Sequence, residues 1–145
     1  KFLGDVSEKN LAMVTSALKA EASAYASFTI SVGGLGAFPK TTNPRVIWVG
    51  VEAPDMLVEM QRSLELQMER LGYAREDRPF TAHLTIGRVS RTASSPQVRL
   101  IGEALGSYTL GFIGMVKIEA LHLYRSDLRP DGAVYSRLFS APLAV

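Results

Sequence analysis

The residues best suited to proton transfer and phosphate binding stand together in Phe80-Thr81-Ala82-His83-Leu84-Thr85-Ile86-Gly87-Arg88. The alternation from Ala82 to Val89 predicts a strand, and on a strand every second side chain shares a face. His83 and Thr85 are therefore expected to point together, with Leu84 and Ile86 turned to the core. An imidazole with an unperturbed pKa of about 6.5 exchanges a proton near neutral pH. A threonine hydroxyl beside it can donate to a non-bridging phosphate oxygen. Arg88 lies at an odd offset from His83, so strict alternation would send it to the wrong face. A bulge or kink at Gly87 would swing it round, since glycine inside a strand often marks one. By itself a single His-x-Thr is a pattern that chance supplies.

The segments around this strand decide what it packs against. Lys1 to Val6 reads as the tail of a strand ending at Gly4-Asp5. Ser7 is a good N-cap, and Leu11, Val14 and Leu18 give residues 8–22 a helical stripe. Phe28, Ile30 and Val32 alternate as a strand, followed by a loop from Gly33 to Pro39. Val46 to Val51 is a continuous apolar run, predicting a strand covered on both faces. Pro54 opens a second helix with Leu57, Met60, Leu64, Met68 and Leu71 on its buried side, and Gly72 ends it. Ser95 and Pro96 start a shorter third helix that stops near Gly106. Two strands, about Val116–Asp127 and Ala133–Ala141, close the chain as a hairpin through Arg129-Pro130-Asp131-Gly132.

Composition narrows the functional classes. The 145 residues are 47% hydrophobic and 21% charged, with no cysteine and a net charge of +2. A single domain of this size buries about 68–70% of its unfolded surface and needs no covalent staples. The lack of cysteine excludes a disulfide scaffold, a thiolate metal site and a cysteine nucleophile, and fits a cytoplasmic setting. The longest uncharged stretch, Ala22 to Pro39, holds three serines, a threonine, three glycines and a proline. It is too polar to span a bilayer, so no membrane partner is expected, and no signal peptide is visible. Arg75, Arg78, Arg88, Arg91 and Arg99 crowd one segment, opposed only by Glu76 and Asp77. Guanidinium groups suit a small phosphate ligand, whereas a duplex footprint would need more positive charge. No clustered His, Asp or Glu set points to a metal.

A repeat is legible in the order of elements. Residues 46–105 read strand, helix, strand, helix, and residues 1–35 read strand tail, helix, strand. Laying Lys1-Phe2-Leu3 over Gly87-Arg88-Val89 places a capping serine and a helix after both. By that register the first unit lacks about forty residues at its front. The other histidine, His122, is expected to be partly buried and hydrogen-bonded in a sheet. Tyr135 and Phe38 are expected in ordinary packing. Residues 33–36 lack the ending of a P-loop, and a turn with special backbone angles accounts for them.

His83-Leu84-Thr85-Ile86-Gly87-Arg88, preceded by Phe80, resembles the second His-x-Thr motif of the two-histidine phosphoesterases. The closer likeness is to the bacterial and archaeal RNA 2′,3′-cyclic phosphodiesterases, historically called 2′-5′ RNA ligases. Lys1-Phe2-Leu3-Gly4-Asp5-Val6 resembles the segment after that family's first motif. Gly34 to Pro39 and Pro44 to Trp48 resemble its middle, and Leu123 to Leu128 with Gly132 to Tyr135 its closing hairpin. Nearly the whole chain is covered, in family order.

The resemblance implies an α+β, bilobal, duplicated fold, with antiparallel sheets flanked by helices around a central cleft. It implies metal-independent, cofactor-free hydrolysis of RNA 2′,3′-cyclic phosphate ends to 2′-phosphomonoesters, with weak 2′-5′ RNA ligation beside it. His83 then maps to the general base, Thr85 to a phosphate donor, Arg88 to a phosphate-binding cation and Phe2 to a cleft aromatic. The partners are RNA ends or small cyclic nucleotides, and the protein is expected to be a monomer. The family's first histidine, taken as the general acid, has no counterpart among the 145 residues. The sequence is thus read as a single two-lobed domain truncated at its N-terminus, and this polypeptide alone is expected to be inactive or nearly so. A non-catalytic RNA- or nucleotide-binding module on the same fold is the alternative, and a purely structural domain a third.

Overall fold

Strand and helix alternate where the hydrophobic period switches between 2 and 3.6, and the computed structural model follows that switch. It describes residues 1–130 and 132–145. The elements in chain order are α1 (Glu8–Ser23), β1 (Phe28–Lys40), β2 (Asn43–Glu52), α2 (Asp55–Arg70), β3 (His83–Arg88), α3 (Ser95–Ser107), β4 (Phe112–Ile118), β5 (Ala120–Arg129) and β6 (Gly132–Pro142). The class is α+β with antiparallel pairings. The chain divides into two compact units, one of residues 1–28, 55–80 and 117–145, the other of residues 29–54 and 81–116.

In the first unit α1 packs on α2 and on the β5–β6 hairpin. Ser7 caps α1 by accepting from the Asn10 N–H at 3.3 Å. The apolar stripe then delivers Val14, Leu18 and Ala22 to a core shared with Met60, Met68, Ala141 and Leu143. The hairpin pairs Ala120 with Pro142 and Arg129 with Gly132. Pro130 lies in its turn; the expectation for Asp131 falls outside the described residues. Lys1 donates to the Glu65 carboxylate at 2.7 Å and to the Ala74 carbonyl, and the Glu76 N–H reaches the same carboxylate at 3.1 Å.

The second unit carries a four-stranded sheet in the order β3-β2-β1-β4, with α3 packed on β2. Gly102 of α3 lies so close to the β1–β2 turn that a Cβ there would stand 2.7 Å from the Thr41 carbonyl oxygen.

Six expectations need correction. Lys1 to Val6 is irregular and not a strand tail, held by the Lys1 side chain instead of a ladder. The supposed loop at residues 33–39 is strand, because β1 runs through it to Lys40. The special backbone angle is there, at Gly34 with φ 72°, but it makes a bulge between Gly33 and Leu35 and no turn. The single strand expected from Val116 to Asp127 is two, broken at Glu119 where the chain leaves one sheet for the other. His122 is exposed, its ring 6.1 Å from that of Tyr124, and Tyr135 is exposed as well. Leu84 and Ile86 are 51% and 62% exposed. They lie on the edge strand β3, whereas α3 lies over β2.

Candidate functional site

His83 opens β3, and the pairing of β3 with β2 fixes what surrounds it. Gly50 pairs with His83, Trp48 with Thr85, Ile47 with Gly87 and Val46 with Arg88. Between the Ile47 and Trp48 pairings the register shifts, leaving Ile86 without a partner. One extra residue in a strand restores to the same face a side chain that alternation would have turned away. Val46 and Trp48 are two apart on β2 and share a face. Their partners Arg88 and Thr85 therefore share it too, although they are three residues apart. The bulge expected at Gly87 occurs one residue earlier, and it sets Arg88 beside Thr85 and His83.

The imidazole is held at one end. His83 Nδ1 is 2.6 Å from the Thr81 carbonyl oxygen. A carbonyl only accepts, so in the neutral ring Nδ1 carries the proton and Nε2 keeps its lone pair. Phe38 meets the ring edge-on, with centroids 5.0 Å apart and planes at 83°. Trp48 lies 6.3 Å away at 57°, and Phe38 and Trp48 touch each other at 5.4 Å. Phe38, expected in ordinary packing, is thus half-buried against the histidine. His83 is half-buried, while Thr85 and Arg88 are exposed. Among the described residues Arg88 enters no ion pair, so its guanidinium is free to take an anion.

The arginine-rich segment is divided between the two units. Arg75 and Arg78 belong to the first unit, and Arg88, Arg91 and Arg99 to the second. Arg75 faces Glu69 at 3.8 Å and Arg99 faces Glu103 at 3.6 Å. Phe2 is 78% exposed and lines a cavity of about 530 Å³ in the first unit with Leu3, Tyr73, Arg75 and Arg78. Among the described residues no three His, Cys, Asp or Glu side chains group as metal ligands. No helix among them is long and apolar enough to cross a membrane.

What sequence reasoning missed is the setting of the histidine: the Thr81 carbonyl and the Trp48 indole. Trp48 has no local signal, because a cross-strand neighbour depends on a pairing that residue types alone do not specify, and the Thr81 contact, though only two residues away, depends on where β3 begins.

The β3 strand thus sets an imidazole, a hydroxyl and a guanidinium on one face of an α+β chain. Residues 2–129 match the model of the 2′-5′ RNA ligase superfamily, and the chain belongs to that family. It is 33% identical over 136 residues to an RNA 2′,3′-cyclic phosphodiesterase of Methanothermobacter thermautotrophicus, spanning 94% of this chain and 72% of that one. Against a protein described in the same words from Archaeoglobus fulgidus the identity is 35% over 137 residues, with 94% and 73% covered. The fold superposes on the crystal structure of TT0787 of Thermus thermophilus with a TM-score of 0.75 at 29% identity, over 98% of this chain and 74% of that one. The E. coli LigT crystal structure with 3′-AMP gives 0.75 at 23% identity, over 100% and 75%.

Proposed function

We propose that the protein hydrolyses the 2′,3′-cyclic phosphate at RNA ends to a 2′-phosphomonoester, with His83 as general base. The observation that carries this is the Nδ1 hydrogen bond to Thr81, on the face that also bears Thr85 and Arg88. It leaves Nε2 as the acceptor. In the proposed step Nε2 takes a proton from water as the water oxygen bonds to phosphorus. The bond from phosphorus to the 3′ oxygen breaks, and that oxygen leaves with a proton. Thr85 and Arg88 donate to the non-bridging oxygens and offset their growing charge. No metal or cofactor is assigned a part, and weak 2′-5′ ligation is the same attack made by an RNA 5′-hydroxyl in place of water.

The proton for the leaving oxygen needs an acid. In the family that acid is taken to be the histidine of a first His-x-Thr. The 145 residues hold a single His-x-Thr, and their other histidine is His122. General acid catalysis contributes about 10²–10⁴-fold, so the 145-residue polypeptide alone is proposed to turn over at most slowly. The two compact units are the number that a duplicated, two-lobed fold requires. Phe2 is retained as a proposed cleft aromatic on its exposure, and a cytoplasmic monomer completes the proposal.

The same single motif favours a second reading, a nucleotide-binding module without turnover. Incubation with 2′,3′-cyclic AMP separates the two. Hydrolysis by the wild type that His83→Ala abolishes supports the enzyme. Saturable binding without hydrolysis, unchanged when a His-x-Thr-bearing segment is placed before Lys1, supports the module.

A further inference from the structure

The cross-strand row Gly36–Trp48–Thr85 places a glycine directly beside the indole. A Cβ built on Gly36 would stand 2.2 Å from Trp48 Cζ2 and 2.3 Å from Cη2, with a third ring atom at 2.7 Å. The indole therefore lies flat over the Gly36 backbone, in a place that only glycine leaves open. Gly36 lies within β1 and is not among the glycines with positive φ, so steric room is what the position requires. Trp48 Nε1 is buried with no hydrogen-bond partner among the described residues. What the indole supplies is its ring surface and not its N–H. That surface touches Phe38 and His83, and Phe38 closes the third side by meeting His83 edge-on.

We propose that Gly36, Trp48 and Phe38 are positioning residues for His83: the glycine seats the indole, and the two aromatic rings fix the plane of the imidazole about its Thr81 hydrogen bond. A hydrogen bond to Nδ1 anchors one atom and leaves the ring free to swing about it. Two aromatic neighbours, one at 83° and one at 57°, remove that freedom through ring geometry. Gly36 is the most remote member and acts on His83 only through Trp48. This inference rests on the proposed role of His83 as base, and it adds residues that touch neither substrate nor the reacting atoms.

The test is a double-mutant cycle on the full protein, reading kcat and KM for 2′,3′-cyclic AMP. Displacing a catalytic group by about 1 Å can cost on the order of 10²-fold in rate. Gly36→Ala, Trp48→Leu and Phe38→Leu are each expected to lower kcat by about tenfold or more while KM stays within about twofold. Because leucine vacates the space the Gly36 Cβ needs, Gly36→Ala added to Trp48→Leu is expected to cost nothing further. Trp48→Phe, which keeps a smaller aromatic face and loses the second ring with its unbonded N–H, is expected to recover part of the loss. The idea is overturned by additive effects of Gly36→Ala and Trp48→Leu, or by a rise in KM at constant kcat.

A second readout does not depend on turnover. The His83 ring signals in the NMR spectrum are expected to shift in Gly36→Ala, and wild-type signals in that variant would overturn the proposal. Should the protein lack hydrolytic activity altogether, the functional reading fails, while this readout still decides whether the indole and glycine orient the ring.

Discussion

The Nδ1 atom of His83 and the carbonyl oxygen of Thr81 lie 2.6 Å apart, two residues from each other along the chain. The contact forms just where the irregular approach turns into β3, before the ladder can use that carbonyl. It selects one tautomer of the neutral imidazole. Long-range proton–nitrogen correlation of the His83 ring is expected to show Nδ1 protonated and Nε2 bare at alkaline pH. The opposite pattern would remove His83 as a base acting through Nε2.

Arg88 reaches the face of His83 and Thr85 because Ile86 is unpaired. Deletion of Ile86 would put Arg88 two residues from Thr85, where plain alternation already gives them one face, so binding of the cyclic phosphate is expected to survive it. Insertion of one residue between Gly87 and Arg88 moves the guanidinium to the opposite face, and binding should then weaken as it does in Arg88→Ala. An insertion that leaves affinity at the wild-type level would show that the register of β3 does not direct the guanidinium.

Arg88→Ala itself removes a charge-assisted contact of about 1.5–3 kcal/mol. At about 1.4 kcal/mol per factor of ten, kcat/KM for 2′,3′-cyclic AMP is expected to fall by roughly 10–100-fold. Arg88→Lys should restore only part of this, because an ammonium cannot make the planar two-pronged contact. Full activity in the lysine variant would argue for a simple point charge.

Glu65 ties the start of the chain to the loop after α2, and its side chain is 7% exposed. Burial alone would raise its pKa. The hydrogen bond from Lys1, that from the Glu76 N–H and the Lys1 charge outweigh burial and hold the carboxyl below the usual glutamate range. A carboxyl with a lowered folded-state pKa stabilises the protein above its unfolded pKa. That stability is lost as pH falls through the folded value. Glu65→Gln is accordingly expected to cost about 3 kcal/mol at neutral pH and to flatten the acid limb of urea unfolding. An unchanged acid limb would show the pair to be worth little.

Most of the structure was legible in the sequence because its signals were local. The Ser7 cap and the Leu11, Val14 and Leu18 stripe marked α1. The stripe through Met60 and Met68 marked α2, and the chemistry around Pro130 and Gly132 marked the closing hairpin. Legibility failed where the deciding partner lay far along the chain. Three glycines in four residues looked like a loop, yet pairing with β2 keeps residues 33–40 in a strand. A strand continuous in residue type from Val116 to Asp127 is cut at Glu119 by a change of sheet. Leu84 and Ile86 alternate as core residues, but burial depends on what covers an edge strand. Of the candidate site, the strand bearing His83, Thr85 and Arg88 was legible, including a bulge. The aromatic setting of the imidazole was not, because Phe38 and Trp48 reach it only through the β1–β2–β3 register.

The central claim is that His83 drives water onto phosphorus and expels the 3′ oxygen. An RNA oligonucleotide ending in a 2′,3′-cyclic phosphate, treated with the protein in ¹⁸O-labelled water and followed by phosphorus NMR, tests this most directly. The account predicts a single 2′-phosphomonoester carrying one ¹⁸O, formed by the wild type and lost in His83→Ala. A 3′-phosphomonoester, or equal turnover by the alanine variant, would contradict it.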